Sequence, residues 1–469
     1  MIDLLLKNGL VYCDGEFKKL QIGIKNEKIV LLSGEDIEIE SRETIDLEGD
    51  YAIPGTIDTH MHVRDPGHTE RGNFYTETLA AAAGGVTTIM EHPISVPPQY
   101  NVEILDKRIE RASQQCVVDF CFYGAAGAEY SEEITKLADD GRIVAFKSFL
   151  HAAPEGREQE FQGLTMANDS ELYIGMKELA KTGLIAAFHA ENNDIIQANI
   201  AQFIKEKKTS AIYHALSRPV ISEVTSVERV IAFARETGAK VEIAHVSTDS
   251  ALEIIKKAKQ EGIKIFAETC PHYLFLTEDD LIKKGAYAKC NPPLRSKEIV
   301  EGLWKYVNDG TIDYIGSDHS PFLVEEKESG KDNIFKAAAG FPGVDLRLPL
   351  MLNAVAEGKI CLKKVVDLLS VNPAKCFGIY PQKGYIGVGA DADITTFSFK
   401  KHMKVDKNKN YSHAREIALA YDGMELKASV TRTILRGRRI MENSVVDQSA
   451  KGYGKLVMQD KSKGDKNEL

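Results

Sequence analysis

Six side chains of metal-binding type follow directly on short apolar runs. They are His60 and His62 in IDTHMH, Lys147 in AFKSF, His189 in FHAEN, His245 in AHVST and Asp318 in GSDHSP. Residues i and i+2 of a strand share a face, so His60 and His62 can reach one ion. Imidazole nitrogens with a carboxylate suit Zn²⁺, with Mn²⁺, Co²⁺ or Fe²⁺ as alternatives. A lysine at the end of a buried strand is costly unless it is paired or modified. As an ammonium, Lys147 would repel divalent ions; carboxylated by CO₂ it becomes a carbamate anion that can bridge two. The alternative for Lys147 is an ion pair at the mouth of the fold. The chemistry implied is hydrolysis at a binuclear metal centre, where binding lowers the pKa of water from 15.7 towards about 7.

These side chains need a frame that brings distant segments together. Eight strand-like runs lie between residues 54 and 319: 55–60, 86–92, 117–124, 143–149, 184–190, 240–246, 264–270 and 313–319. Helical patterns such as VERVIAFARETG and IVEGLWKYVNDG separate them and close on Gly, the residue favoured where a helix exits. Strand and helix alternating eight times predict an α/β fold, a (β/α)8 barrel, with the ligands at the strand C-termini where such barrels carry their chemistry. The flanks alternate with period two and turn at NG, DG and GE, the mark of antiparallel β structure. The reading is a composite β-sandwich from residues 1–53 and 380–455, a catalytic barrel from 54–379, and a flexible polar tail from 456–469.

Composition narrows the function classes. The chain of 469 residues carries a net charge of −10 and 27% charged residues, which argues against a nucleic-acid partner. No apolar run approaches the roughly 20 residues of a membrane helix, and the N-terminus does not read as a signal peptide. The seven cysteines form no CxxC pair, which fits a reducing cytoplasm. Cys290, beside NPPLR, lies near the active site or is a small apolar filler.

PGTIDTHMHVRDPG, AAAAGGVTTIMEHP, FKSF, FHAEN, AHVST, CPHYL, NPPLR and SDHSPF resemble the cyclic amidohydrolases of the amidohydrolase superfamily. These are the hydantoinases, dihydropyrimidinases, allantoinases and dihydroorotases, and the resemblance covers nearly the whole chain. It implies that His60, His62 and Asp318 hold the more buried metal, that His189 and His245 hold the more exposed one, and that carboxylated Lys147 bridges. It further implies two divalent ions, attack by a hydroxide shared between them, and Asp318 as the general base and acid. A homotetramer or homodimer is expected from the same resemblance.

Substrate choice rests on fewer residues. Arg64 lies two residues beyond His62, where dihydroorotases bind the substrate carboxylate, and a guanidinium fork suits that role. Alternatively Arg64 pairs in the loop with Asp65 or Glu70. Two positions depart from the dihydroorotase pattern: Ile94 stands where Asn is usual and Phe322 where His is usual. They favour an apolar or neutral substituent on a five-membered cyclic ureide of hydantoin or allantoin type, with dihydroorotate as the alternative. Ala152 stands where dihydropyrimidinases carry a tyrosine that binds the oxyanion. Asn291 and Gly340 are expected to contact the ring, His92 to be a strand-end or supporting histidine, and 151–165 to act as a lid. A metal-free scaffold of dihydropyrimidinase-related type is the non-enzymatic alternative; such relatives lose ligands, and all six are present here.

Overall fold

The computed structural model describes residues 1–34 and 37–460. Eight parallel strands follow one another around a barrel in chain order: Thr56–Met61, Val86–Glu91, Asp119–Ala125, Ala145–Phe149, Ile185–His189, Val241–Ile243, Ile265–Thr269 and Tyr314–Ile315. A bridge between Met61 and His319 links the first strand to the last. The strands are near-continuous apolar runs because both faces are covered. Helices pack outside; Ile57, Met90, Tyr123, Ala187 and Tyr314 fill the interior with Phe377 and Val457.

The local chemistry of the helix ends agrees with this layout. Asn73 caps Phe74–Ala83 in a reciprocal capping box with Thr76. Gly238 closes Val220–Thr237 in the left-handed region, at φ 75°, which a side chain would strain.

Strands from the two termini share one nine-stranded sheet around Leu4, Leu6, Val11, Ile22, Ile24, Ile394 and Ile434. Its pairing is mixed rather than purely antiparallel. Ser41–Asp46 and Tyr51–Pro54 both run parallel to Ile2–Cys13, while Ile394–Ser398 joins the two halves by pairing antiparallel with Tyr51–Pro54.

Two further expectations need correction. The sixth and eighth barrel strands are far shorter than the apolar runs 240–246 and 313–319. The cause is local: His245 and Asp318 adopt φ 42° and 48°, so the backbone leaves the sheet before it reaches either ligand. The chain from 456 is also not a free tail at its start. Val457 is buried and donates its N–H to Phe120 O at 2.9 Å, and Asp460 N–H reaches Gly378 O at 3.0 Å. Residues 461–469 lie outside the described residues.

Candidate active site

His60 is the penultimate residue of the first strand and His62 follows that strand; Asp318 comes from the loop after the eighth. Their ligand atoms lie within 4.8 Å of one another. Asp318 Oδ1 is 3.4 Å from His60 Nε2 and 3.3 Å from His62 Nε2. Across the mouth, His189 Nδ1 faces His245 Nε2 at 3.0 Å. Lys147 rises from the fourth strand between these groups, fully buried, its Nζ without a hydrogen-bond partner. All six residues selected from the sequence therefore line one cavity of about 1100 Å³.

Carboxylates behind the histidines fix their orientation. Glu268 Oε2 accepts from His60 Nδ1 at 2.6 Å, and Glu191 Oε2 accepts from His189 Nε2 at 2.8 Å. Each contact fixes one tautomer and turns the other ring nitrogen, as a lone pair, towards the cavity. Burial, joined by the neighbouring cations and imidazoles, holds His60, His62 and His245 well below the usual histidine range. They are neutral and ready to coordinate. Burial also lowers the Lys147 amine, against the opposing pull of Glu242, Glu268 and Asp318. It raises Asp318 to about 8, against the pull of Lys147.

The donor set passes a direct test of fit to a metal. Imidazole lone pairs and a carboxylate converge at ligand spacing, and the buried Lys147 Nζ finds no partner on the protein. Three residues of the site, Arg64, His245 and Asp318, hold positive φ at 68°, 42° and 48°. Strained backbone of this kind concentrates at functional sites, where surrounding structure enforces it.

The residues expected on the substrate side are placed differently from one another. Arg64, Ile94, Asn291 and Phe322 line the cavity, as do His151 and Ala152. Arg64 pairs with neither Asp65 nor Glu70. It donates Nη2 to Ser320 Oγ at 2.6 Å and lies 4.8 Å over the Phe322 ring, while Asp65 pairs with Arg111 and Glu70 with His68. Its Nε and Nη1 stay buried and unpaired, and burial lowers it to about 9. Gly340 does not line the cavity; it stands behind the wall, where a Cβ would come within 2.7 Å of Ser320 Cβ. His92 lies outside the cavity and stacks on His60 with ring centroids 3.7 Å apart, a supporting position. Cys290 is buried outside the lining, its thiol pushed up to about 12 by burial.

The 151–165 segment is tied down in its second half. Glu160 accepts from Arg157 Nη2 at 2.6 Å and lies 3.4 Å from Arg71 Nη1, and Phe161 is buried against Phe149. Sequence reasoning missed Glu268, Glu191, Glu160 and Ser320. Two of them had a signal: Glu268 interrupts the apolar run KIFAETC, and Glu191 stands two residues beyond His189.

Fold and site together define a metal-dependent hydrolase built on a (β/α)8 barrel. Residues 51–440 match the model of the amidohydrolase family, and the chain belongs to that family. It is 36% identical to the L-hydantoinase of Paenarthrobacter aurescens over 464 residues, 97% of this chain and 98% of that one. It is 35% identical to the allantoinase of Bacillus licheniformis, over 94% and 96% of the two chains. The solved L-hydantoinase (dihydropyrimidinase) from Arthrobacter aurescens superposes with a TM-score of 0.93 at 34% identity, covering 98% of this chain and all of its own. No helix among the described residues is long and apolar enough to cross a membrane.

Proposed function

We propose that the protein opens the cyclic amide bond of a five-membered cyclic ureide, of hydantoin or allantoin type. One observation carries the reading: six side chains from five barrel strands or the loops after them line one cavity, and the ligand atoms of His60, His62 and Asp318 lie within 4.8 Å of one another. The hydantoinases and allantoinases among its relatives supply the substrate class. In this reading His60, His62 and Asp318 would hold one ion, His189 and His245 would hold the second, and Lys147, once carboxylated by CO₂, would serve as a ligand to both. Zn²⁺ suits the donor set best, with Mn²⁺, Co²⁺ or Fe²⁺ able to replace it. Bound there, the ions supply an activated water and polarise the scissile carbonyl.

The chain's own groups do the rest. Asp318, between His60 and His62, takes the proton of the attacking water at its carboxylate and delivers it to the departing amide nitrogen. The Asn291 Oδ1, buried without a partner, accepts a ring N–H of the ureide. Ile94, Phe322 and Phe161 form the apolar wall against the ring substituent, and the pinned 151–165 segment keeps water from it. The barrel, residues 54–379, carries the chemistry, and the β unit of 1–53 with 380–455 braces it. The seven free cysteines suit a reducing cytoplasm. A dimer or tetramer is the expected assembly, which light scattering after gel filtration measures.

Dihydroorotate remains the second reading, because the unpaired Nε and Nη1 of Arg64 could take a carboxylate. The apolar residues Ile94 and Phe322, and the hydantoinase and allantoinase relatives, place it second. The test is a panel on metal-replete protein: allantoin, hydantoin, 5-substituted hydantoins of both hands, dihydrouracil and dihydroorotate. Preference for allantoin or a substituted hydantoin supports the proposal. Preference for dihydroorotate, lost in Arg64→Ala, overturns it.

A further inference from the structure

Beneath the mouth, the barrel interior carries polar groups that the proposed reaction does not use. Lys147 pairs with Ala187, and Ala187 with Glu242, so the three form one row across the fourth, fifth and sixth strands. Residues in register on neighbouring strands share a face, and this row faces inward. At about 4.8 Å per strand, Lys147 and Glu242 stand roughly 9–10 Å apart at Cα, with only a methyl group between them. Their two long side chains together can span that distance, and Ala187 leaves the space open.

Few of the groups around this space are paired. The Lys147 Nζ and the hydroxyls of Tyr123 and Thr88 are buried without a hydrogen-bond partner on the protein, and the one polar side chain that engages Glu242 is Tyr314, at the limit of hydrogen-bond geometry. Among the acids around Lys147, Glu242 exerts the largest pull, ahead of Glu268 and Asp318. Glu268 is already engaged by Thr59 and His60, and Asp318 faces His60 and His62. Glu242 holds no histidine and lies inside the barrel, outside the cavity lining. Buried polar groups left free by one another in this way are joined by ordered water.

We propose that Glu242 is a positioning residue for Lys147: through water shared with Tyr123 and Tyr314 it holds the lysine nitrogen on the barrel axis, and so sets how readily Lys147 is carboxylated and the metal centre filled. The inference rests on the reading of Lys147 as a carbamate bridge. In carboxylation the amine lone pair forms a bond to the carbon of CO₂, one C=O electron pair moves onto oxygen, and a proton leaves the nitrogen to water. The product keeps one N–H, which needs an acceptor on the side away from the metals. Glu242 supplies that acceptor from the row below the mouth.

The experiment compares wild type with Glu242→Gln, Glu242→Asp, Ala187→Leu and Tyr314→Phe, each loaded with Zn²⁺ in ¹³C-bicarbonate. The carbamate ¹³C signal and the metal content per chain are measured across a bicarbonate series. Glu242→Gln and Ala187→Leu should lower metal affinity by about 10–100-fold, the range for residues that orient a ligand. The carbamate signal should fall with it, and high bicarbonate should restore both. Glu242→Asp should recover part of the loss, and Tyr314→Phe should show a smaller loss of the same sign. Full carbamate and metal in Glu242→Gln would overturn the proposal, and so would a loss that bicarbonate does not restore. If Glu242→Gln fails to fold, Tyr314→Phe, which removes one hydroxyl only, decides the matter by the same readout. A wild-type protein without a carbamate signal overturns the reading of Lys147 itself, a result distinct from either.

Discussion

Two clusters of metal-ligand-type side chains occupy different parts of this molecule, and they are finished in opposite ways. At the mouth, Asp318 stands with His60 and His62 among neutral imidazoles. Where the barrel meets the terminal sheet, Asp119, Asp391 and Asp393 also approach within ligand distance of one another. There the Lys383 Nζ fills the centre, at 2.5 Å from Asp119, 2.7 Å from Asp393 and 3.0 Å from Asp391. Arg436 adds a second cation on Asp119. Burial would lower the Lys383 amine, but the three carboxylates outweigh it and raise it. One cluster carries its counter-charge in its own sequence; the other has ligand lone pairs turned to a cavity. A group of acids therefore points to a metal only where the chain has not already neutralised it.

The largest expected effect breaks the mouth. Asp318→Asn should lower kcat by about 10²–10⁴-fold, the usual contribution of a positioned acid–base group. Chelation should abolish turnover of the wild type, and added Zn²⁺ or Mn²⁺ should restore it; turnover that survives chelation counts against the centre. Next comes the other cluster. Lys383→Ala leaves three carboxylates buried without their cation and should cost about 3–5 kcal/mol of stability in urea unfolding. Metal content of the folded fraction should stay unchanged, and a loss of metal there would mean that the clusters are not independent.

A smaller effect concerns specificity. Phe322→Ala should reduce kcat/KM for an apolar 5-substituted hydantoin about 10–200-fold while changing that for unsubstituted hydantoin much less. The smallest concerns the pinned 151–165 segment. Burial alone would raise Glu160, but Arg157, Arg64 and Arg71 outweigh it and depress its pKa from 4.5 to about 2. Its contribution is thus complete above pH 4.5 and lost as pH falls towards 2. The Tm difference between wild type and Glu160→Gln should be constant near neutrality and shrink across that window. A difference that grows on acidification contradicts the pairing.

Much of the mouth was legible in the residues. HxH, the lysine in AFKSF, and the residues closing FH, AH and GSD each follow an apolar run, and strand periodicity places such ends together in a closed barrel. Arg64 shows where that legibility stopped. Its charged neighbours in sequence, Asp65 and Glu70, look like partners, yet Asp65 binds Arg111 on the helix Val102–Gln115 and Arg64 reaches Ser320 after the eighth strand. Gly340 makes a related point: it lies outside the cavity lining, because adjacency in sequence does not say which side of a wall a residue occupies.

The sequence by itself determined the barrel, the six metal-ligand-type side chains that line its cavity, the joint use of both termini in one β unit and the apolar residues at 94 and 322. Each depends on local periodicity or on the side chain's own chemistry. Only the tertiary structure decided the backing carboxylates, the row of Lys147, Ala187 and Glu242, the pinning of Glu160 by Arg71 and Arg157, and the burial of Val457. These depend on strand register and on contacts between segments far apart in the chain, which a period of two or 3.6 residues does not encode. The early exit of the sixth and eighth strands belongs with them, because no pattern in the runs 240–246 and 313–319 marks the positive φ that His245 and Asp318 adopt.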